Sequence, residues 1–73
     1  MQVYKIECID VQHAIIAAAR IYGMGYGAIR LGRAVLTDAE MKGNVPSVIL
    51  NAMARTTEPT ESDMKLWSET YEA

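Results

Sequence analysis

The residues predict a small α+β domain, predominantly helical, with an N-terminal β-strand and three to four short helices in one unit over residues 1–73. Three observations lead there. Residues 2–8 alternate, with Tyr4, Ile6 and Cys8 on one side and Lys5 and Glu7 on the other, which is the period of a half-buried strand. Several later segments place apolar residues three or four apart, the period of a helix. The chain has 73 residues, 51% of them apolar, so it can build one core and no more.

The elements follow in order. The strand at 2–8 needs a partner, in this chain or another, because one strand has no independent stability. Asp10 is an N-cap residue before a run of helix formers, and Val11 to Tyr22 reads as a helix with the stripe Val11, Ala14, Ile15, Ala18, Ile21 and Tyr22. Gly23 suits its C-terminus. Gly23 to Gly27 holds three glycines in five positions and reads as a loop. Residues 28–36 fit a helix best, because Ala28, Leu31, Val35 and Leu36 then bury while Arg30 and Arg33 face out. A strand there stays open, since it would supply the missing partner. Thr37-Asp38-Ala39-Glu40 matches a capping box opening a short turn that ends at Gly43. Pro46 to Arg55 reads as a helix burying Ile49, Leu50 and Met53. Thr60 and Asp63 resemble a second capping box, opening an acidic helix over about 60–71 with Met64, Trp67 and Tyr71 inward. The expected core is Tyr4, Ile6, Ile15, Ala18, Leu31, Val35, Ile49, Leu50, Met53 and Trp67.

Charge divides unevenly. Residues 1–55 carry six basic and four acidic side chains, a balance of +2; residues 56–73 carry one basic and five acidic, a balance of −4, and the two sum to the formal −2. No acid lies between Val11 and Thr37, where Arg20, Arg30 and Arg33 stand alone. The single cysteine, Cys8, permits no intrachain disulfide and fits a reducing, cytoplasmic compartment, and it reads as a buried apolar residue. The N-terminal residues lack the pattern of a signal peptide. The longest apolar stretch, Ala14 to Ala19, falls far short of the ~20 residues a membrane span needs.

Catalysis needs convergent groups, and few are present. His13 is the only histidine, one helical turn from Asp10, and reads as a residue of the helix start. One Cys and one His make no zinc site. Gly27 to Arg33 has the glycine spacing of a phosphate loop, but Arg33 and Ala34 stand where Lys and Ser/Thr are required. No enzyme activity and no cofactor are expected. A helix-turn-helix arrangement fits loosely, because Asp38 and Ala39 occupy the turn and only Ser47, Asn51 and Arg55 would reach base edges.

The expected contact surface is Arg20, Tyr22, Tyr26, Arg30 and Arg33 around the glycine loop, arginine and tyrosine being the usual types at protein interfaces. Val3 and Lys5 form a second candidate surface, as an edge strand able to extend a partner's sheet. In its short reading frame, single reduced-type domain, missing catalytic set and split charge, the chain resembles small bacteriophage-encoded regulators that bind host machinery, RNA polymerase above all. The resemblance is one of build across the whole chain and implies a protein that occludes or remodels a polymerase surface in the host cytoplasm. The alternatives are a nucleic-acid-binding module using the same arginines and tyrosines, and a self-assembling structural protein.

Overall fold

The computed structural model describes residues 2–40 and 47–72. Its centre is a four-stranded antiparallel sheet, which overturns the expectation of a predominantly helical domain. The elements run β1 (Tyr4–Cys8), α1 (Val11–Gly23), β2 (Ala28–Leu31), β3 (Ala34–Thr37), α2 (Ser47–Ala52), β4 (Met53–Thr57) and α3 (Glu61–Trp67), the last continuing into a π-helical turn at Ser68–Glu72. The sheet order is β2-β3-β1-β4. The first six elements therefore make a split β-α-β unit, in which β1 and β4 sit side by side although almost the whole domain lies between them.

One expected helix is replaced by two strands, and a second is cut short by another. Residues 28–36 form a hairpin: β2 and β3 pair from Ala28↔Thr37 to Leu31↔Ala34, with Gly32 and Arg33 as the loop. Gly32 has φ of +61° and Arg33 does not enter positive φ, the pattern of a two-residue turn that wants glycine first. The segment expected to run as one helix from Pro46 to Arg55 is α2 only to Ala52. From Met53 the chain pairs with β1, Cys8↔Met53 and Lys5↔Thr57, with a bulge that leaves Ala54 unpaired between Met53 and Arg55. Thr37 ends β3, and its Oγ1 accepts a 3.0 Å hydrogen bond from Ala39 N, turning the chain instead of capping a helix. The remainder of that expected turn, toward Gly43, lies outside the described residues.

The N-terminal strand, the first helix and the last capping box lie where expected. The Asp10 side chain accepts from His13 N at 2.8 Å and caps α1. Its buried residues are Ala14, Ala17 and Ile21, which pack on Ile6, Cys8 and Val35 of the sheet together with Ile49 and Ala52 of α2. The expected core members Ile15 and Leu50 are 45% and 53% exposed. Small alanines let α1 lie close to the large sheet residues, and this turns the bulkier Val11, Ile15 and Tyr22 outward. Ile6, Val35, Ile49 and Trp67 are buried as expected; Tyr4, Ala18, Leu31 and Met53 are half-buried.

The opposite face of the sheet is closed by α3. Trp67, 1% exposed, packs with Val3 and Leu36 and against Ile29 and Leu31. The helix is anchored at its start: Thr60 Oγ1 accepts from Asp63 N at 3.1 Å, and Asp63 accepts from Thr60 N and from Lys5 Nζ, both at 2.8 Å. Tyr71 ends the cover. Its hydroxyl accepts from Ala28 N at 3.0 Å and donates to Ala28 O at 3.1 Å, so it occupies the open edge of β2.

The Asp63 contacts set an acid limit. The Lys5 ammonium foremost, then the Thr60 N–H, hold its carboxyl below the ordinary 3.8. Arg55 does the same for Glu7, and the His13 backbone N–H for Asp10. A carboxyl whose folded pKa is depressed contributes stability above its unfolded pKa and loses it as pH falls through the folded value. The urea midpoint is therefore expected to hold level from pH 7 to 5 and fall below about pH 4. Asp63→Asn should lower the neutral midpoint and flatten the acid decline; an unchanged slope would dissociate Asp63 from it.

Candidate binding cleft

Tyr22 ends the exposed flank of α1, Tyr26 lies in the loop that follows, and Tyr71 stands on the π-helical turn. With Gly25 and Gly27 these three tyrosines line an open cleft of about 450 Å³ at the end of the sheet away from the β2–β3 turn. The local chain demands glycine at two of these positions. Gly25 has φ of +95°. At Gly27 a Cβ would lie 2.6 Å from Trp67 Cη2 and 3.2 Å from Tyr71 Cε2, so the backbone approaches both rings closely. Asp38 Oδ1 accepts from Gly27 N at 2.9 Å and fixes the loop to the end of β3. Tyr71 is held by its hydroxyl and by Trp67, whose ring centre is 4.5 Å away. Tyr22 and Tyr26 are 68% and 46% exposed, and the cleft thus has one fixed aromatic wall and two free ones.

The expected arginine–tyrosine surface divides. Tyr22 and Tyr26 meet at the cleft. Arg20 is exposed on α1, but two residues on a helix are 200° apart, so it projects away from Tyr22. Arg30 Nη1 donates to Gly32 O at 2.9 Å, which carries this side chain toward the hairpin turn. Arg33 lies in that turn, at the opposite end of the sheet, where its charge adds to the dominant effect of Arg55 in holding the Glu7 carboxyl low. Arg55 pairs with Glu7 across β4 and β1.

The second expected surface is not available in the form foreseen. β1 is an inner strand, paired with β3 and β4, and has no free edge. Val3 is 8% exposed beneath Trp67, and Lys5 is bound by Asp63 at 2.8 Å. The sheet edges are β2 and β4.

Cys8 is fully buried, and burial pushes its thiol pKa up, with the nearby Asp10 charge adding to the shift. His13 Nδ1 lies 2.7 Å from Asp10 Oδ1, so the only imidazole serves the helix cap. Among the described residues, no group of three His, Cys, Asp or Glu side chains is placed to hold a metal ion, and no helix is long and apolar enough to cross a membrane. Tyr71 was the part of the cleft missed from the sequence, where it was expected to point inward from the last helix. The glycine-dense loop was the usable signal, since such density marks a place where backbone and rings approach closely. No protein-family model matches the chain, and no curated protein and no solved structure matches it.

Proposed function

We propose that this chain is a protein-binding module, acting as a regulator or inhibitor, and that the tyrosine cleft is its contact surface. The observation that carries this reading is the joint exposure of Tyr22 and Tyr26 beside the fixed Tyr71 around one open cleft. Tyrosine rings offer large contact area at small entropic cost and are common anchors of interfaces. The separation of Arg30 and Arg33 from the tyrosines disfavours the nucleic-acid alternative, which needs cations along a backbone path beside the stacking rings. Docking on a large host assembly such as RNA polymerase is the specific form of this reading that the chain's build suggests.

The test compares wild type with the Tyr22→Ala/Tyr26→Ala double variant in affinity capture from a host lysate, with nuclease present and at two salt concentrations. Both side chains are exposed, so the circular dichroism spectrum should not change. Each interface tyrosine is expected to contribute about tenfold in affinity. The variant should therefore lose a partner that wild type retains through nuclease and salt. Equal capture by both proteins would refute the cleft as the contact surface. Recovery of only salt-labile, nuclease-sensitive material would favour the nucleic-acid alternative.

A further inference from the structure

The outer face of α1 is apolar. Eight of its 13 residues are exposed, and among those eight only Gln12 and Arg20 carry polar side chains. A helix face turned to water ordinarily carries charged and polar residues. The bulky side chains on this face are ordered. Val11, Ile15 and Tyr22 are 47%, 45% and 68% exposed, and the half-buried Ala18 stands between Ile15 and Tyr22. Spacings of four, three and four residues set these four side chains within about 60° of arc, in one straight seam. That is the spacing with which one helix packs along another. The domain's own core does not use the seam, because Ala14, Ala17 and Ile21 are the residues that face the sheet.

We propose that the seam receives the same seam of a second copy of this chain, the two α1 helices running antiparallel about a twofold axis. The order of sizes along the seam selects this occupant. Val11 and Tyr22 have the same midpoint in the helix as Ile15 and Ala18. One axis through that midpoint therefore sets Ile15 of each copy against Ala18 of the other, and Val11 of each against Tyr22 of the other. Each large side chain meets a smaller one, which is how facing layers interdigitate without voids. A parallel pair would set Tyr22 on Tyr22 and Ala18 on Ala18, a collision beside a gap. Antiparallel helices also bring opposite ends of their dipoles together. Arg20, the only Lys, Arg, Asp or Glu in α1, projects from the opposite side, so α1 brings no like charges into the seam. One helix per copy makes a contact smaller than the ~800 Å² per partner of a standard interface, so the pair belongs to the weak class that forms at roughly micromolar concentrations. Tyr22 lines the cleft as well as the seam, so pairing covers one wall of the cleft. The inference rests on α1 alone and does not depend on what the cleft binds.

The test is sedimentation equilibrium of the full chain from about 1 μM to about 1 mM, over which the mass is expected to rise from one chain to two. Ile15→Glu places a carboxylate in each half of the seam and should weaken pairing about 100-fold or more. The side chain is exposed, so the circular dichroism spectrum should not change. Ile16→Glu is the control: Ile16 is also 45% exposed, but it lies about 100° around the helix from Ile15 and should leave pairing intact. Orientation is read by cross-linking. Val11→Cys and Tyr22→Cys copies, mixed under oxidation, should form a disulfide with each other and not with themselves, because like positions lie about 16 Å apart along an antiparallel pair. The native Cys8 is buried and does not compete. Pairing by Ile15→Glu at wild-type strength, its loss in Ile16→Glu alone, or cross-links between like positions would each overturn the proposal. A wild-type chain that stays monomeric throughout would also overturn it and leave the seam to a different protein.

Discussion

Replacing Trp67 by alanine is expected to lower stability by about 3–5 kcal/mol, the range for removing a large buried aromatic side chain. A 73-residue chain has a total stability of roughly 4–11 kcal/mol at the usual value per residue. The variant should thus lose from about a quarter to all of the chain's stability. Trp67 has this weight because it is the main cover of one whole face of the sheet, filling the space over Val3, Leu36, Ile29 and Leu31. The helices α1 and α2 lie on the other face and cannot replace it. Trp67→Phe separates packing from polarity. The indole Nε1 is buried with no hydrogen-bond partner among the described residues, so losing that N–H removes no bond. The phenylalanine variant should keep most of the stability that alanine loses. Urea unfolding of the three proteins decides the matter: a loss below about 1 kcal/mol in Trp67→Ala would mean that α3 does not close the sheet.

The second large effect comes from adding a single carbon to the other side of the same contact. Gly27→Ala is expected to cost about 1–3 kcal/mol, the usual range for overpacking. Its Cβ would lie 2.6 Å from Trp67 Cη2, and the indole is pinned beneath the sheet residues and cannot retreat. The displaced rings would carry the Tyr71 hydroxyl off Ala28, so the Ala28 amide should exchange with solvent faster in the variant. Gly23→Ala is the control. Nothing lies within 4 Å of a Cβ there, φ is not positive, and the position ends a helix, so this change should be neutral or slightly stabilising. If both substitutions behaved alike, the close approach of Gly27 to Trp67 would not govern stability.

The fold was legible where local chemistry and tertiary role agree. Tyr4 to Cys8 alternate and form a strand; Asp10 and Thr60 look like caps and are caps. It was illegible where short segments satisfy two periods at once. Each strand of the β2–β3 hairpin has four residues, too few for alternation to exclude a helix, and one glycine at position 32 is the only punctuation between them. Met53-Ala54-Arg55 are good helix formers that become a strand because β1 offers an unpaired edge, a partner far away in the chain. That same pairing removed the expected edge at Val3 and Lys5. The cleft was half legible: Tyr22 and Tyr26 were singled out beside the glycine loop, whereas Tyr71 reaches them from 45 residues away through a bond that no pattern announces. Arg30 and Arg33 are near the loop in sequence, but an extended strand carries them away from it.

The hydroxyl of Tyr71 on Ala28 has a consequence in time as well as in space. All four strands precede it in the chain, and 14 residues separate Thr57, the end of the sheet, from Tyr71. At ribosomal rates of about 5–20 residues per second, Tyr71 is added roughly one to three seconds after Thr57. Hairpins close in microseconds once their strands are free to meet. Wherever the strands of a new molecule pair before Tyr71 docks, the β2 border is bare and open to any extended chain that meets it.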